Sequence, residues 1–215
     1  AVQQEIAKQE AELAEWKKER DPEPPNQREE TKEARKHLRA ANYSYIPFYE
    51  AVEFQEHVDE EVRKRIEAAL MDAGLLDALI TNGDIPIAHD RVIHPNPQMM
   101  AHTLADYLFP DVDEETKVQA SRIDEVLRSI LVESDEAEAA TIRIDGTYNI
   151  GLVEGHAVPA YNVRFIGKNA RKRYREEQIQ LITAEIERLN DEEQNIRREI
   201  QTLDEKVQAA QAAMD

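Results

Sequence analysis

From Lys168 to Asp215 the chain contains neither glycine nor proline, and its apolar residues return at alternating steps of three and four positions. Glycine and proline both disfavour helix interiors, so their absence permits one unbroken helix. A repeat averaging about 3.5 residues keeps a single apolar stripe along such a helix, which is the pattern of a coiled coil. With Glu193 as a polar exception, the stripe consists of Ile179, Ile182, Ile186, Leu189, Ile196, Ile200, Leu203 and Val207.

Residues 1–20 carry a shorter version of the same pattern. Gln9 is its polar exception, and its apolar positions are Val2, Ile6, Leu13 and Trp16. Two stripes at opposite ends of one chain can pair in opposite directions if the middle of the chain folds back between them. We therefore predict an intramolecular antiparallel coiled coil, formed by an amino-terminal arm (residues 1–20) and a carboxyl-terminal arm (residues 168–215).

Two other arrangements of the long helix remain open. Isoleucine and valine alternate with leucine along the stripe, which also suits a parallel pair between two molecules. The stripe could otherwise be the core face of a helical bundle, but roughly 47 residues at 1.5 Å each give a rod of about 70 Å, longer than a small domain is wide. The shorter arm reaches about 30 Å, so residues 27–42 or the middle of the chain must cover more of the rod.

The glycines and prolines all lie between Pro22 and Gly167, which confines the turns to the middle of the chain. "DPEPPNQ" (residues 21–27) ends the first helix, because proline lacks the backbone donor and pushes its neighbour towards extended geometry. A charged helical segment follows, so residues 21–42 are predicted to be a proline-containing connector and helix.

Residues 43–167 mix strand and helix patterns. "YIPFYEAVEF" (residues 45–54) is aromatic and β-branched, which predicts a strand, whereas "LLDALIT" fits a strand or a short helix equally well. "TIRIDGTYNIGLV" (residues 141–153) alternates around Asp145-Gly146, the strongest hairpin signal in the chain. Helical patterns run from Asp59 to Gly74, over residues 99–109 and over residues 114–131. The prediction is an α+β centre with a small antiparallel sheet, carried at the tip of the coiled coil.

Composition agrees with long solvated helices and a modest core. Charged residues make up 33% of the chain, aromatic residues 6%, the net charge is −18 and the mean hydropathy is −0.69. No apolar run approaches the roughly 18 residues of a membrane span, no signal-peptide pattern opens the chain, and there is no cysteine for a disulfide or a thiolate metal site. We expect a cytoplasmic protein and, since the chain starts at Ala1, a fragment of a longer one.

No pattern in the sequence predicts catalysis or a bound metal. The chain has no GxxxxGK[ST] phosphate loop. His89, Asp90 and His94 are close in sequence, but the two histidines lack the i,i+4 spacing of a helical metal pair and no further ligand supports a metal site. We expect no catalytic residue, no metal and no cofactor within this chain.

Cations gather at the root of the carboxyl-terminal arm, which we call the basic neck. Spacings of three and four residues put most of them on one helix face, where they could meet a DNA phosphate backbone together. They could equally balance nearby acids or keep the helix root solvated, and the acidic chain favours that interpretation. The basic neck consists of Lys168, Arg171, Lys172, Arg173 and Arg175.

Ordered motifs resemble a known family. They are Trp16 followed by "DPEPP", then "IPFYEAVEF", the pair "EAALMDAGLLDALIT" and "LADYLFP", and finally "DGTYNIGL" leading to "FIGKNARKRYREEQI". Their order and spacing resemble the large SMC-like ATPase subunits of Wadjet plasmid-defence systems (JetC-type), which are similar to the condensin-like MukB. The family commonly has a tryptophan at the position of Leu79 and "WRLGPL" in place of "YNIGLV", so a divergent member is expected.

The resemblance implies that residues 43–167 are a hinge, through which two ATPase subunits form a homodimer. It places the ATP- and Mg-binding heads outside this chain, and it implies a bacterial, nucleoid- or plasmid-associated, DNA loop-extruding complex. The implied partners are kleisin-like and small bridging subunits and a topoisomerase-VI-like nuclease. A self-association surface is expected along an exposed edge of the predicted hairpin, with Thr141, Arg143, Tyr148 and Ile150 as candidate residues.

Two functions from other classes compete with the hinge. A free-standing acidic coiled-coil adaptor would bind protein partners through its surface. A DNA-contacting module would work through the basic neck and bind with salt-sensitive affinity.

Overall fold

The structure is a computed structural model that describes residues 1–18, 21–25, 27–136 and 138–214. The predicted arm boundary at Arg20 and the terminal Asp215 lie outside these ranges. The chain divides into two compact units, a first unit of residues 1–21 and 172–215 and a second unit of residues 22–171. The predicted connector at residues 21–42 falls almost wholly within the second unit. Within the described ranges, no helix combines the length and the apolar character needed to cross a membrane.

Helices and short strands are both present, as the α+β prediction requires. In chain order the helices are α1 (Val2–Lys17), α2 (Glu29–Ala40), α3 (Phe48–Ala51), α4 (Glu60–Asp72), α5 (Ala120–Leu127) and α6 (Lys168–Ala212). The strands are β1 (Tyr45–Pro47), β2 (Val52–Phe54), β3 (Leu79–Thr81), β4 (Leu108–Pro110), β5 (Leu131–Val132), β6 (Thr141–Ile142), β7 (Thr147–Ile150) and β8 (Val153–His156).

The first unit is an antiparallel helix pair. Near one end, Nε2 of Gln3 on α1 donates a hydrogen bond of 2.8 Å to Glu193 on α6. Near the other, the Trp16 ring meets Tyr174 edge-on, with ring centroids 5.7 Å apart. Contacts that advance along α1 therefore move backwards along α6, which confirms the predicted intramolecular antiparallel coiled coil.

The described residues of the second unit form three small sheets. Strands β1 and β3 pair antiparallel, as do β2 and β4, and the third sheet has the order β5-β6-β7-β8. In this third sheet β5 and β6 are parallel, while the other neighbours are antiparallel. The predicted hairpin is confirmed as β6–β7, with Ile142 opposite Tyr148 and Gly146 at the turn with φ of 89°.

The core of the second unit is built from one face of α4, one face of α5 and the strands beside them. Helical spacing places Ile66 and Leu70 of α4 on one buried face, and Ile123 and Leu127 of α5 on another. Other large, fully buried side chains include Phe48, Tyr49, Leu76, Leu79, Ile80, Leu104, Leu108 and Phe165.

The predicted strand over residues 45–54 is wrong in its centre. It forms β1 and β2, but the short helix α3 separates them. The backbone N–H of Phe48 donates to Ala78, and that of Tyr49 donates to Leu76. These long-range bonds dock the segment on the turn before β3, and they replace the ladder that a continuous strand would have needed.

The predicted helix over residues 99–109 is also wrong, because only Leu104–Asp106 forms a short 3₁₀ helix before β4. Thr103 starts it with a capping box, in which its hydroxyl accepts from Ala105 and its N–H donates to Asp106. The carbonyl of His102 accepts from Val132 next to this cap. This carbonyl is therefore bound to β5 and is not available to a longer helix.

The helical pattern over residues 114–131 yields a helix only from Ala120 to Leu127. The reason is Asn82, whose side chain donates to the carbonyl of Lys117 and accepts from the N–H of Gln119. This side chain holds the segment before α5 in a non-helical conformation. The position of the helix start therefore depends on a residue almost 40 positions upstream, as the sequence separation of 37 shows.

Candidate functional site

The predicted self-association edge is not exposed. The hairpin β6–β7 lies inside its sheet, because β5 covers the outer side of β6 and β8 covers the outer side of β7. Thr141 is 0% and Tyr148 is 6% exposed. Arg143 donates to Asn149 and to the carbonyl of Ser134, while Ile150 is half-buried. The proposal that this hairpin offers a free edge is therefore corrected.

The open edge of the sheet belongs to β8. In the described part of the chain β8 pairs with β7 alone. The N–H of Arg143 donates to Thr147, so Thr147 and Asn149 direct their backbone groups towards β6, and Tyr148 and Ile150 direct theirs towards β8.

The register then decides which groups of β8 are unpaired. Tyr148 lies opposite Gly155 and Ile150 lies opposite Val153, so these pairs exchange the ladder hydrogen bonds. Glu154 and His156 consequently point their backbone N–H and C=O away from the sheet. They form a short edge that is free to accept another strand.

Apolar side chains flank this edge. Leu152 in the β7–β8 turn is fully exposed at 106%, and Val158 just beyond β8 is 64% exposed. Val153 and Ile144 are exposed as well. Exposed aliphatic side chains next to unpaired strand groups are typical of a protein interaction surface.

A glycine and a tyrosine hold β8 against its neighbour. The Tyr148 hydroxyl donates to Asp72 of α4 at 2.6 Å, and this bond raises the pKa of Tyr148 to about 12. The Tyr148 ring passes directly over Gly155, where any Cβ would overlap the ring carbons and the hydroxyl. Only glycine therefore fits at residue 155 while Tyr148 keeps its bond to α4.

The segment between β8 and α6 is held by a buried carboxylate. Glu67 of α4 is 0% exposed and accepts from three consecutive backbone N–H groups, those of Arg164 at 2.8 Å, Phe165 at 3.1 Å and Ile166 at 2.6 Å. It also accepts from the Tyr161 hydroxyl at 2.7 Å. Burial raises the pKa of Glu67, and the four donors oppose that rise. We call residues 161–166 the strap.

The strap continues into Arg171, which the sequence assigned to the basic neck. Its side chain is buried, at 4% exposed, and donates to the carbonyls of Phe165 at 2.8 Å and Tyr49 at 3.4 Å. The guanidinium also lies 6.0 Å from the centre of the Tyr49 ring. The Arg171 side chain is therefore held inside the second unit, as the interpretation favoured by the acidic composition expects, and it presents little exposed charge to the possible DNA contact.

Lys168 and Arg175 of the basic neck also have partners in the chain. Lys168 donates to Asp113 at 2.6 Å in an exposed ion pair. Arg175 donates to the carbonyl of Trp16 at 2.9 Å within the first unit. Lys172 and Arg173 lie on the surface. A DNA contact at this neck stays a prediction, and it rests on fewer cations than the sequence indicated.

His89 and Asp90, which the sequence offered as possible metal ligands, accept hydrogen bonds from α2 instead. Asp90 accepts from Arg35 of α2 at 2.7 Å, and Asp77 accepts from the same buried guanidinium at 2.9 Å. The carbonyl of His89 accepts from Thr31. In the described part of the chain, no group of three or more possible metal ligands comes together.

The coiled-coil stripe divides into a covered half and an exposed half. Ile6, Ile182 and Leu189 are buried. The half-buried positions are Val2, Leu13, Trp16, Ile179 and Ile186. The exposed positions, all beyond Glu193, are Ile196, Ile200, Leu203 and Val207.

Sequence reasoning missed Glu67, Arg35 and the edge of β8. The two charged residues follow directly on Ile66 and Ala34, which are buried positions of their helices. A charge beside an apolar helix face was the signal that could have found them. For β8 the signal was the Gly151-Leu152 turn, since glycine with positive φ at the first turn position is typical of a two-residue hairpin.

The chain is similar to two solved hinge domains. One is the SMC hinge domain of Geobacillus stearothermophilus, crystallised as an asymmetric dimer, with 12% identity over 92% of this chain and 88% of that chain and a TM-score of 0.40. Another is the Smc hinge domain of Pyrococcus furiosus with an extended coiled coil, with 14% identity over 97% and 90% and a TM-score of 0.34. No known protein family matches the sequence, and no curated protein matches it significantly. With TM-scores below 0.5, neither comparison assigns a function, and the proposal below rests on contacts within this chain.

Proposed function

We propose that the chain is the hinge of an SMC-like ATPase, a non-catalytic module through which two subunits dimerise. One observation carries this proposal: α1 and the first part of α6 pair antiparallel within one chain, and the 150 residues of the second unit lie between them in sequence. A chain that leaves along one helix, folds a unit and returns along the other is what a hinge at a coiled-coil tip requires.

The exposed half of the stripe supports the same function. Gln3 lies opposite Glu193, so the stripe beyond Glu193 has no helix facing it among the described residues. Apolar positions in heptad spacing require a partner helix to leave water. In our proposal that partner is the continuation of the α1 arm in the parent protein, which would extend the coil in the same antiparallel sense.

The finer assignment follows from the ordered motifs. We place the parent protein among the JetC-type subunits of Wadjet systems, with ATP- and Mg-binding heads beyond this chain and with kleisin-like, small bridging and nuclease partners. The sequence flanking this chain in the parent gene tests the assignment. Nucleotide-binding halves at both ends would support it, and their absence would favour the free-standing adaptor.

Dimerisation is tested on the chain itself. A hinge must join two copies, and a closed pair uses one surface twice. We expect light scattering at micromolar concentration to give twice the 24.7 kDa of one chain. Light scattering is preferred to elution volume, because long helices distort the latter. A mass of one chain under these conditions would contradict the hinge proposal.

A further inference from the structure

We infer that the second copy binds along the edge of β8, as an antiparallel strand centred on Gly155, so that Glu154 of each copy lies opposite His156 of the other. This inference rests on the proposed function, because it takes the partner to be a second copy of the chain. It names the surface and the register, which the function alone does not.

The unpaired backbone groups of β8 limit how two copies can meet. Only Glu154 and His156 present both N–H and C=O outwards, so a pairing strand must bond at these two residues. Beyond them the edge closes, since the carbonyl of Val158 already accepts from Arg65 at 3.0 Å and Pro159 has no N–H. The interface ladder is therefore short and its register has few choices.

Two-fold symmetry reduces the choices to three. If β8 pairs antiparallel with its own copy, the numbers of any two residues that lie opposite each other add up to the same sum. The symmetry axis passes through the residue whose number is half of that sum. The axis then passes through Glu154, Gly155 or His156. An axis at Glu154 sets two like charges directly opposite each other, which is destabilising. An axis at His156 sets Glu154 opposite the aliphatic Val158 and leaves its carboxylate without a partner.

The axis at Gly155 sets Glu154 opposite a histidine, whose Nε2 also lies 3.2 Å from the carbonyl oxygen of Asp145 in its own chain. Side chains alternate along a strand, so Glu154 and His156 share a face, while Leu152 lies in the turn directly before β8 and Val158 lies two residues after its end. In this register Glu154 meets the basic His156 of the second copy, and the fully exposed Leu152 meets Val158 of the second copy. Acid faces base twice and aliphatic faces aliphatic twice, which neither of the other registers achieves.

Glycine at the axis allows the two strands to approach closely. Opposed residues that do not exchange hydrogen bonds approach most closely, with Cα atoms about 4.5 Å apart. Gly155 would occupy this position in both copies. Its lack of a side chain, already required by Tyr148 on one face, leaves both strands free to approach.

Paired cysteines test the register, and the chain has no cysteine of its own. Opposed hydrogen-bonded residues have Cα atoms about 5.5 Å apart, within the range of a disulfide. We would mix full-length Glu154→Cys with tagged His156→Cys, oxidise gently and resolve the products by mass. The two variants alone and Ser121→Cys, an exposed position on α5, are the controls. We expect the mixed disulfide to exceed both self-linked products at least tenfold.

Each other outcome overturns the inference. Efficient self-linking of Glu154→Cys or of His156→Cys would place the axis elsewhere. A dimer mass by light scattering without linking at either position would mean that the copies meet through another surface, and the hinge proposal would then survive. A monomer mass for the unmodified chain would overturn both.

Exchanging the charges supplies a second readout. Glu154→Lys alone removes the acid opposite His156, and His156→Glu alone sets two glutamates opposite each other, so we expect each to weaken dimerisation roughly tenfold. The double variant Glu154→Lys/His156→Glu restores acid opposite base, so it should regain most of the affinity. Equal affinities in all four proteins, measured by sedimentation equilibrium, would contradict the register.

Discussion

Glu67 shows how one buried charge can organise a chain segment. A carboxylate removed from water is costly unless hydrogen bonds replace its hydration. Glu67 accepts from three successive N–H groups of the strap and from the Tyr161 hydroxyl. All four partners donate, which suits an ionised carboxylate. The residue therefore fixes the strap to α4 directly before the start of α6.

Replacing Glu67 by glutamine should destabilise the second unit by about 2–4 kcal/mol, because the amide NH₂ would face backbone donors and leave them unsatisfied. Urea unfolding followed by fluorescence measures the loss. Hydrogen exchange should quicken at the amides of Arg164, Phe165 and Ile166. The matched control is Glu61→Gln on the same helix, whose exposed carboxylate forms a surface ion pair with Lys64, and it should unfold like the unmodified chain. Equal unfolding of the two variants would contradict this role of Glu67.

Gly155 is a second position where one atom decides the local structure. Substitution by alanine would force the Tyr148 ring to move and break its bond to Asp72. We expect Gly155→Ala to cost about 1–3 kcal/mol, the usual range for an overpacked site. Thermal unfolding of Gly155→Ala, compared with the control Gly83→Ala, measures this loss of stability.

The control for Gly155→Ala is Gly83→Ala. Nothing lies within 4 Å of a Cβ at Gly83, and its φ is outside the left-handed region. Alanine there should be neutral or stabilise slightly, because it restricts the unfolded chain. A loss of stability as large in Gly83→Ala as in Gly155→Ala would show that the Tyr148 contact is unimportant.

Among the elements, α6 has two halves with different environments. Its sequence repeat continues unchanged past Glu193, but the side chains before that point are covered and those after it are exposed. The repeat alone therefore does not tell where a partner helix ends. The contacts of α1 define that limit, because Gln3 reaches Glu193.

The two halves predict opposite results for the same substitution. Leu189→Ala removes a side chain that is 5% exposed and should cost the helix pair about 2–3 kcal/mol. Leu203→Ala changes a side chain that is 59% exposed and should alter stability by less than about 0.5 kcal/mol. Helical circular dichroism during urea unfolding compares them. A similar cost for both would mean that the exposed half is covered in solution, for example by a second chain in parallel.

Short elements in the second unit show where prediction from sequence succeeds. The β6–β7 hairpin was predicted because Asp145-Gly146 and the alternation on either side act within a few residues. The helices over residues 99–109 and 114–131 were overpredicted, because apolar spacing was read without the bonds from Val132 and Asn82 that hold these segments. When distant residues satisfy the backbone groups of a segment, the sequence of that segment does not show that it will fail to form a helix.

For the whole molecule, each unit would supply a separate requirement of the proposed hinge. The first unit brings both ends of the chain into one antiparallel helix pair. The second unit supplies the strap, the buried Arg171 and the open edge of β8. Dimerisation through that edge would then be a property of the second unit, and the length of the coil would be a property of the first.

By itself the sequence determined the long helix, the stripe along it, the turn-rich middle and the β6–β7 turn, since each depends on side-chain spacing or on residues adjacent in the chain. The tertiary structure alone decided which strand edge is left open, and it drew Arg171 and Glu67 into the interior. Those outcomes depend on which backbone and charged groups remain unsatisfied once the strands have packed. Which groups remain unsatisfied depends on contacts between segments far apart in the chain, and a local sequence pattern does not contain that information.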